Sequence, residues 1–394
     1  MSARPDSMGN AEPSGGSVKG LRIALFSGNY NCVRDGSNKA LNKLVAFLLE
    51  QGASVRVYSP TSKRPAFTPS GNLVSVPSFP IPGRTEYRIA PGLPRAIEAD
   101  IRAFRPTHFH LSAPDWLGFG AQRLARQLGL PVVTSMHTMF ETYLEFYRLG
   151  FLSNWMKRRL RRFYSESDYV LVPNSALARR FADEGLGKVI GIWGRGVNHE
   201  LFNPTRRSMD WRRTHGYGDD DIITLFFGRL VPEKGLETFW QTMDELGRRR
   251  TSAPPLIIGD GPGMARMKAA LPNAVFAGHL EGSALGQAVA SADILVNPSV
   301  TEAFGNVNLE GMSAGLAVVS ANVDSATELI VGGQHGLLVD PRDPAAYADA
   351  IEQLMDDDAL RARLGRQAHE ESLRYVWPQV MSSVLDAYRA TQRA

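Results

Sequence analysis

Short, continuous runs of apolar residues alternate with amphipathic segments along most of the chain. The first run, at 21–27, is followed by a glycine-containing loop, an amphipathic stretch over 38–51 and a second apolar run at 54–58. Apolar runs that do not alternate with polar residues are typical of strands buried on both faces of a parallel sheet. The order strand, helix, strand therefore predicts a βαβ unit at the start of the fold.

The same pattern continues in two groups, which are separated by a polar, turn-rich stretch at 204–220. Further strands are predicted at 108–111, 132–136, 169–172, 222–227, 256–258, 274–276, 294–296, 317–320 and 336–339. We expect an α/β fold of two Rossmann-like, doubly wound parallel-sheet domains, over residues 20–203 and 204–376. Because Pro378 cannot continue a helix without a kink, residues 377–394 should form a separate last helix.

The composition fits two globular domains and limits the partners of the protein. A chain of 394 residues suits two domains, and 43% of its residues are hydrophobic, which is enough for sizeable cores. The formal net charge of +4 is too small to indicate a nucleic-acid partner, and we expect none. No apolar run approaches the roughly 20 residues that a membrane-spanning helix needs.

Cysteine usage and the first residues of the chain bear on its location. Cys32 is the single cysteine, which excludes an internal disulfide framework and a cysteine-based metal cage. We therefore expect a reducing, cytoplasmic environment. Residues 1–19 are rich in Ser, Gly and Pro and lack the apolar core of a secretory signal, so they are predicted to be a disordered tail.

The stretch TEAFGNVNLEGMSAG, at 301–315, carries the most specific chemistry. It places Glu302 before a glycine-containing loop and Glu310 after the first turn of the following helix. The free N–H groups at a helix N-terminus favour a phosphate or a polyol, and two carboxylates suit a ligand rich in hydroxyl groups. A single glutamate here could equally be a helix cap, but the combination is more specific. The loop residues that complete this candidate site are Phe304, Gly305 and Asn306.

Two cations and two glycine loops stand at other predicted strand ends. Arg229 follows the strand at 222–227, and Lys234 precedes the next helix. Such a pair can neutralise a diphosphate leaving group, although an isolated Arg and Lys on a loop are more often solvated. The loops containing Gly36 and Gly261 both lack the G-x-G-x-x-G spacing, which counts against an NAD oxidoreductase. On chemistry alone, Gly36 suits a plain turn as well as a phosphate contact.

A histidine and a basic helix are further candidates. His137 lies just past the strand at 132–136, where open α/β sheets bind ligands, but a structural histidine is the alternative. The helix predicted over 151–164 has an apolar half that includes Trp155 and a basic half opposite it. This helix could lie on an anionic bilayer or pack its apolar half on its own domain. The residues of the basic half are Lys157, Arg158, Arg161 and Arg162.

Several of these segments together resemble the retaining glycosyltransferases of family GT4, which have the GT-B fold. The similarity lies in E-x-F-G-x-x-x-x-E at 302–310, F-G-R-L-x-x-E-K-G at 227–235, W-G-R-G-V at 193–197 and the segment at 137–151. The last of these is similar to the branch of lipid-linked mannosyltransferases and sulfoquinovosyl-diacylglycerol synthases. The resemblance extends over nearly everything from residue 21 onward. It departs from the family pattern at Asn198, where aspartate is usual, and at Ala303 and Gly311.

The resemblance implies roles for individual residues. The catalytic residues would be His137, Glu302, Arg229 and Lys234, and the two cations would bind the donor diphosphate. The donor-binding residues would be Gly36, Arg195, Gly261, Phe304, Gly305, Asn306 and Glu310. The membrane or acceptor side would be formed by Trp155, Lys157, Arg158, Arg161 and Arg162.

The implied reaction moves a sugar from a GDP- or UDP-sugar, with retention at the anomeric carbon, to an acceptor that we expect to be a lipid at the cytoplasmic membrane face. We expect no metal and no cofactor, because the acidic clusters at 219–221 and 356–358 lie in linker and helix-connection sequence. The alternatives are a soluble or polysaccharide acceptor, another GT-B enzyme such as an epimerase or phosphorylase, and a non-catalytic nucleotide-sugar binding protein.

Overall fold

The computed structural model describes residues 18, 20–33, 36–81, 84–137 and 153–392. Within these residues the chain forms a seven-stranded sheet, a six-stranded sheet and a two-stranded hairpin. Of the predicted tail at 1–19, only Val18 is described, and the segment at 138–152 also lies outside the described residues.

The first sheet has the strand order β3-β2-β1-β6-β7-β8-β9, and all of its neighbouring strands are parallel. The strands of this half of the chain, with the antiparallel hairpin β4–β5, are β1 (Arg22–Phe26), β2 (Ser54–Ser59), β3 (Asn72–Ser75), β4 (Phe79–Ile81), β5 (Arg84–Ile89), β6 (His108–Leu111), β7 (Val132–Ser135), β8 (Tyr169–Val172) and β9 (Ile190–Ile192). Its helices are α1 (Gly36–Glu50), α2 (Arg95–Phe104), α3 (Trp116–Leu128), α4 (Ser153–Ser165) and α5 (Ser175–Asp183).

The second sheet has the order β12-β11-β10-β13-β14-β15 and is also parallel throughout. Its strands are β10 (Thr224–Phe227), β11 (Leu256–Ile258), β12 (Val275–Gly278), β13 (Ile294–Asn297), β14 (Ala317–Ala321) and β15 (Leu337–Val339). The remaining helices are α6 (Met209–Thr214), α7 (Leu236–Arg249), α8 (Met264–Ala270), α9 (Gly282–Ala290), α10 (Asn306–Ser313), α11 (Asp324–Thr327), α12 (Pro344–Asp356), α13 (Asp358–Ser372) and α14 (Trp377–Thr391). Short 3₁₀ turns span Pro204–Arg206 and Pro232–Lys234.

Both sheets begin at a central strand, extend to one edge, and then return to build the other side. The strand order therefore reverses between β1 and β6 in the first sheet and between β10 and β13 in the second. In doubly wound folds a ligand binds at the carboxyl ends of the strands at such a reversal. The architecture thus indicates where the functional residues should gather.

The continuous apolar strands are buried on both faces, as the sequence pattern predicts. In β1, Ala24 and Phe26 belong to one apolar cluster, whereas Ile23 and Leu25 belong to another. Because successive side chains of a strand point to opposite faces, each cluster is the core on one side of the sheet. The second sheet has two clusters of the same kind.

The last helix packs on the first sheet. Helix α13 ends at Ser372, and α14 begins at Trp377 with Pro378 in its first turn, so the predicted restart of the helix at the proline is confirmed. Apolar side chains of α14 share a core cluster with Ile23 and Leu25 of β1. The residues of α14 in this cluster are Met381, Val384, Leu385, Ala387 and Tyr388.

The structure also differs from the predicted elements in detail. The helix expected over 151–164 spans Ser153–Ser165 in the described residues, and the strand expected over 132–136 ends at Ser135. The hairpin β4–β5 was not predicted, because its residues do not form an apolar run. Within the described ranges, none of the helices combines the length and apolar character that crossing a bilayer requires.

Candidate functional site

The centre of the site is an ion pair at the strand reversal of the second sheet. The ammonium group of Lys234, which follows β10, contacts the Glu302 carboxylate, which follows β13. Their side chains are 26% and 15% exposed, so the pair lies in a recess rather than on the open surface. Two residues that the sequence places 68 positions apart are thus brought together, as the motif predictions required.

The backbone around Lys234 is held by its neighbours. Gly235 has φ 73°, a conformation that favours glycine, and a Cβ there would lie 2.7 Å from the Pro298 carbonyl oxygen. The hydroxyl groups of Ser299 and Thr301 both donate to the carbonyl oxygen of Glu233, at 3.2 and 3.1 Å. Side-chain hydroxyl groups of the loop that carries Glu302 are therefore bonded to the backbone of the loop that carries the lysine.

Arg229 reaches across to the hairpin of the first domain. Its guanidinium donates to the Tyr87 hydroxyl at 3.3 Å. The hairpin is itself fixed to the loop after β1, because the Arg88 N–H donates to Asn29 Oδ1 at 2.8 Å and Asn29 Nδ2 donates to the Arg88 carbonyl oxygen at 3.3 Å. Arg229 thus lies between the two sheets, at the carboxyl end of β10.

The glycine loops after β10 and β11 pack closely. A Cβ on Gly259 would overlap the carbonyl oxygen of Gly228, and one on Gly261 would lie 2.5 Å from the Leu230 carbonyl oxygen. Their φ values of 140° and 157° also favour glycine. Gly261 therefore lets the loop approach the backbone next to Arg229, and a structural role accounts for this glycine without a donor contact.

The N-terminus of α10 faces the N-terminus of α1. Gly305 precedes α10 with φ 90°, which favours glycine. Asn306 is the first residue of α10, and a Cβ on Gly36, the first residue of α1, would lie 2.5 Å from its Nδ2 atom. Two helix N-termini, each the positive end of a helix dipole, therefore meet between the domains.

Glu310 lies one turn into α10 and faces Lys39 of α1. Burial raises the pKa of its carboxyl group, the charge of Lys39 lowers it and the charge of Glu302 raises it, and together they place the pKa at about 7. The carboxyl group therefore titrates near neutral pH. The ionised form can accept hydrogen bonds from two neighbouring hydroxyl groups of a ligand.

The side chain of Phe304 does not face the cleft. It is 5% exposed, and its ring lies 6.2 Å from that of Tyr375, centroid to centroid. A Cβ on Gly194 would lie 3.2 Å from this ring, so the first domain packs directly against it. The phenyl ring therefore packs between the domains and leaves only the backbone of Phe304 for a donor contact. Its position in the motif predicted a donor-binding residue but not this packing.

His137 and Arg195 form a buried pair at the edge of the first domain. An Arg195 Nη atom donates to His137 Nδ1 at 2.8 Å, and the other Nη donates to the carbonyl oxygens of Trp193 and Gly194. His137 Nε2 lies 2.9 Å from the Ser135 hydroxyl. Both ring nitrogens are therefore bonded within the protein, so His137 offers no nitrogen to a sugar hydroxyl unless one of these bonds opens.

Polar contacts between the domains place these groups on one cleft. Asn174 Nδ2 donates to the Ala303 carbonyl oxygen at 2.8 Å, and the Ser175 hydroxyl donates to Glu328 at 2.6 Å. These contacts lie next to the contact between Phe304 and Gly194. Together they connect the segment with the His137–Arg195 pair to the loop that carries Glu302. The predicted catalytic residues thus come from both domains and lie around their shared boundary.

Helix α4 combines a packed side with an exposed one. Phe163 and Tyr164 are buried in a core cluster of the first domain, whereas Trp155 is 52% exposed. Lys157 and Arg158 are also exposed. Of the other predicted membrane-side cations, Arg161 donates to the Glu184 carbonyl oxygen and Arg162 pairs with Glu166. Most of the apolar half thus packs on its own domain, whereas Trp155 and all four cations are exposed.

Sequence patterns missed other residues at the site. Tyr87 contacts Arg229, Lys39 lowers the pKa of Glu310 and Asn29 holds the hairpin, but none of these residues lies in a motif. The strand-end rule could have found Asn29, because it follows β1 directly. The approach of Tyr87 and Lys39 depends on how the two domains face each other, which no local pattern reveals.

With this geometry in place, the relatives of the chain identify its class. Residues 34–201 match the model described as Glycosyltransferase Family 4, and residues 221–357 match that described as Glycosyl transferases group 1. Sulfoquinovosyl transferase SQD2 of Arabidopsis thaliana is 32% identical over 370 residues, 91% of this chain and 71% of that protein. A GDP-mannose-dependent alpha-mannosyltransferase of Mycolicibacterium smegmatis is 30% identical over 376 residues, 94% of this chain and 97% of that protein.

Solved structures agree on the fold. Sucrose-phosphate synthase from Thermosynechococcus elongatus matches with a TM-score of 0.74 at 20% identity, over 94% of this chain and 98% of that one. Anabaena HepE, crystallised in complex with UDP, matches with a TM-score of 0.72 at 17% identity, over 94% and 100%. The GT-B fold predicted from the sequence is confirmed.

The chain belongs to glycosyltransferase family 4. It is a retaining glycosyltransferase that uses a nucleotide-sugar donor, as the sequence motifs predicted.

Proposed function

We propose that this enzyme transfers a hexose from a GDP- or UDP-sugar to a lipid acceptor at a membrane surface, without a metal ion. The observation that carries the donor half of this proposal is the Lys234–Glu302 pair between the two strand reversals, with Arg229 beside it. Lys234 and Arg229 neutralise the charge that develops on the departing diphosphate, and a partly closed cleft strengthens this effect.

The two carboxylates bind different parts of the donor. Glu302 accepts hydrogen bonds from the sugar, and Glu310 accepts them from the ribose, in the roles that the family resemblance implies. The facing N-termini of α1 and α10 supply further N–H donors, with Gly36, Gly305 and Asn306 at the positions of closest approach. Protein side chains thus position the donor, and the leaving phosphate takes the acceptor proton.

Two observations support a lipid acceptor. Relatives that match nearly the whole chain are a sulfoquinovosyl transferase and GDP-mannose-dependent mannosyltransferases, and the segment at 137–151 resembles the lipid-glycosylating branch of the family. Helix α4 presents an exposed tryptophan next to exposed Lys157 and Arg158 on the first domain. An amphipathic tryptophan flanked by cations suits the interface of an anionic membrane.

A groove beside α4 could admit part of such an acceptor. It has a volume of about 490 Å³ and lies between α2, α3 and α4. The Arg159 guanidinium lies 4.4 Å from the centre of the Phe119 ring and 5.1 Å from that of Trp155. Trp116, at the rim, is 50% exposed. Aromatic surface with a cation over it suits an amphiphilic molecule better than a purely polar one.

Vesicle binding tests the membrane surface. The Lys157→Ala/Arg158→Ala variant should bind phosphatidylglycerol vesicles about 30-fold more weakly than the wild type, since each cation contributes about 1 kcal/mol at an anionic surface. A matched control, Arg342→Ala/Arg366→Ala, removes two exposed cations from the second domain and should bind normally. Sedimentation of protein with vesicles measures both. Equal binding by wild type and the α4 variant would remove the membrane part of the proposal.

Product analysis tests the acceptor itself. Purified protein is incubated with a panel of GDP- and UDP-sugars and vesicles containing diacylglycerol, and the lipid phase is analysed by mass spectrometry. A hexose-bearing lipid with one of the donors is the expected result. Donor turnover with sugar only in the aqueous phase would contradict it.

A soluble acceptor is the second candidate. D-inositol 3-phosphate glycosyltransferase of Acidothermus cellulolyticus is 30% identical over 302 residues, 70% of this chain and 65% of that protein. A small polar acceptor would need no membrane surface, so transfer to inositol phosphates in the absence of vesicles would favour this candidate.

A further inference from the structure

A row of five buried polar side chains crosses the first domain, from the cleft to the last helix. It runs from Arg195 through His137, Ser135 and His110 to Tyr388, with successive donor–acceptor distances of 2.8, 2.9, 2.8 and 2.6 Å. None of the five residues is more than 8% exposed. The row therefore connects the edge of the cleft to α14, the last helix of the chain.

The arginine fixes the direction of the two hydrogen bonds that His137 makes. A guanidinium can only donate, so His137 Nδ1 must accept and His137 Nε2 must carry the proton. Nε2–H then donates to Ser135. If the Ser135 hydroxyl donates along the row to His110 Nε2, His110 Nδ1–H donates to the Tyr388 oxygen. His137 must be neutral, because a protonated ring would place its Nδ1–H against the guanidinium donor.

We propose that Tyr388, His110 and Ser135 are positioning residues for sugar transfer, which hold the ring of His137 in place and thereby orient Arg195 at the cleft. Arg195 belongs to the loop that places Gly194 against Phe304 of the donor-binding motif. The orientation of the histidine–arginine pair is therefore set by the docking of α14 on the first sheet.

Burial supports the neutral state that the geometry requires. Desolvation lowers the pKa of His110 to about 3. Desolvation, followed by the charge of Arg195, lowers the pKa of His137 well below its usual range. Buried polar groups are costly unless every partner is present, so a purely apolar core would serve packing alone at lower cost. A complete row that ends at the cleft indicates a positioning role.

The test removes the Tyr388 hydroxyl group, at the far end of the row, and keeps the aromatic ring in the core. In Tyr388→Phe the ring remains but His110 loses its acceptor. The matched control is Tyr347→Phe, because Tyr347 is also fully buried and its hydroxyl has no hydrogen-bond partner within the described residues. Ser135→Ala interrupts the row at a second point, so the test does not depend on one variant folding.

Two readouts separate positioning from packing. Nitrogen-15 NMR of histidine-labelled wild type should show the Nε2–H tautomer for His137 and the Nδ1–H tautomer for His110, with assignments from His→Gln variants. Tyr388→Phe and Ser135→Ala should alter these signals and lower kcat roughly tenfold or more, with donor KM nearly unchanged. Tyr347→Phe should change neither.

The opposite tautomers in the wild type would overturn the proposal, and so would wild-type kcat in both row variants. The inference rests on the proposed function only through the transfer assay. Donor turnover without a lipid acceptor also reports kcat, and the NMR signals need no substrate. Failure of the lipid-acceptor proposal would therefore leave this test intact.

Discussion

At the scale of single residues, the site is a balance of charges around two glutamates. Glu302 is paired with Lys234, and its charge raises the pKa of Glu310. Sequence motifs identified all three residues, because each lies at a fixed offset from a strand end. They could not identify Lys39. This residue belongs to the other domain, and its charge lowers the pKa of Glu310, whereas that of Glu302 raises it. Nor could they show that His137 uses both ring nitrogens internally, since Ser135 and Arg195 meet it only in the fold.

The first residue-scale prediction concerns pH. The Glu310 carboxyl has a pKa raised to about 7, so it is protonated below that pH and ionised above it. If the ionised form binds the ribose hydroxyls, kcat/KM for the donor should rise about tenfold between pH 6 and 8. Glu310→Gln should remove this rise, and steady-state kinetics across the range measure it. A wild-type profile that falls with pH, or a variant that keeps the inflection, would contradict the assignment.

At the scale of secondary-structure elements, the sequence predicted most strands and the restart of the last helix. Continuous apolar runs identify buried parallel strands because both faces of the sheet are covered, and Pro378 marks the start of α14. The hairpin β4–β5 was not predicted, because strand β4 is short, largely exposed and contains a proline. The hairpin nevertheless brings Tyr87 to Arg229, so part of the donor site came from an element without a sequence signal.

An element-scale prediction follows from the facing starts of α1 and α10. In Gly36→Ala the new methyl group would crowd Asn306 Nδ2, which must move or hold the domains apart. We expect donor KM to rise roughly tenfold, as small displacements at a site are costly. The free energy of unfolding should change by no more than about 1 kcal/mol, because alanine is compatible with a helix start.

The control for this variant is Gly247→Ala. Gly247 lies inside α7, where a Cβ would meet no atom within 4 Å. Alanine should therefore raise stability by up to about 1 kcal/mol and leave the kinetics unchanged. Wild-type donor KM in Gly36→Ala would show that the approach of the two helices does not shape the site.

At the scale of the whole molecule, two parallel sheets with the same strand order face each other across one cleft. The pattern of apolar runs predicted both sheets except the edge strands β3 and β9 of the first, because each βαβ unit is a local feature. The relative placement of the sheets depends on long-range contacts, such as Asn174 with Ala303 and Ser175 with Glu328, which sequence periodicity does not encode. The last helix adds a further long-range link, since it joins the end of the chain to the first core.

The central claim is that protein cations, rather than a metal, carry the diphosphate charge when the sugar leaves. Its most direct test is the rate of sugar transfer from the true donor in the presence of EDTA, for wild type, Lys234→Ala and the control Lys188→Ala. Lys188 is 65% exposed, pairs with Asp168 and belongs to none of the motifs. The account predicts full activity for wild type and the control, and a loss of about 10²- to 10³-fold for Lys234→Ala in a folded protein. Loss of wild-type activity in EDTA, restored by a divalent metal, or normal transfer by Lys234→Ala would contradict it.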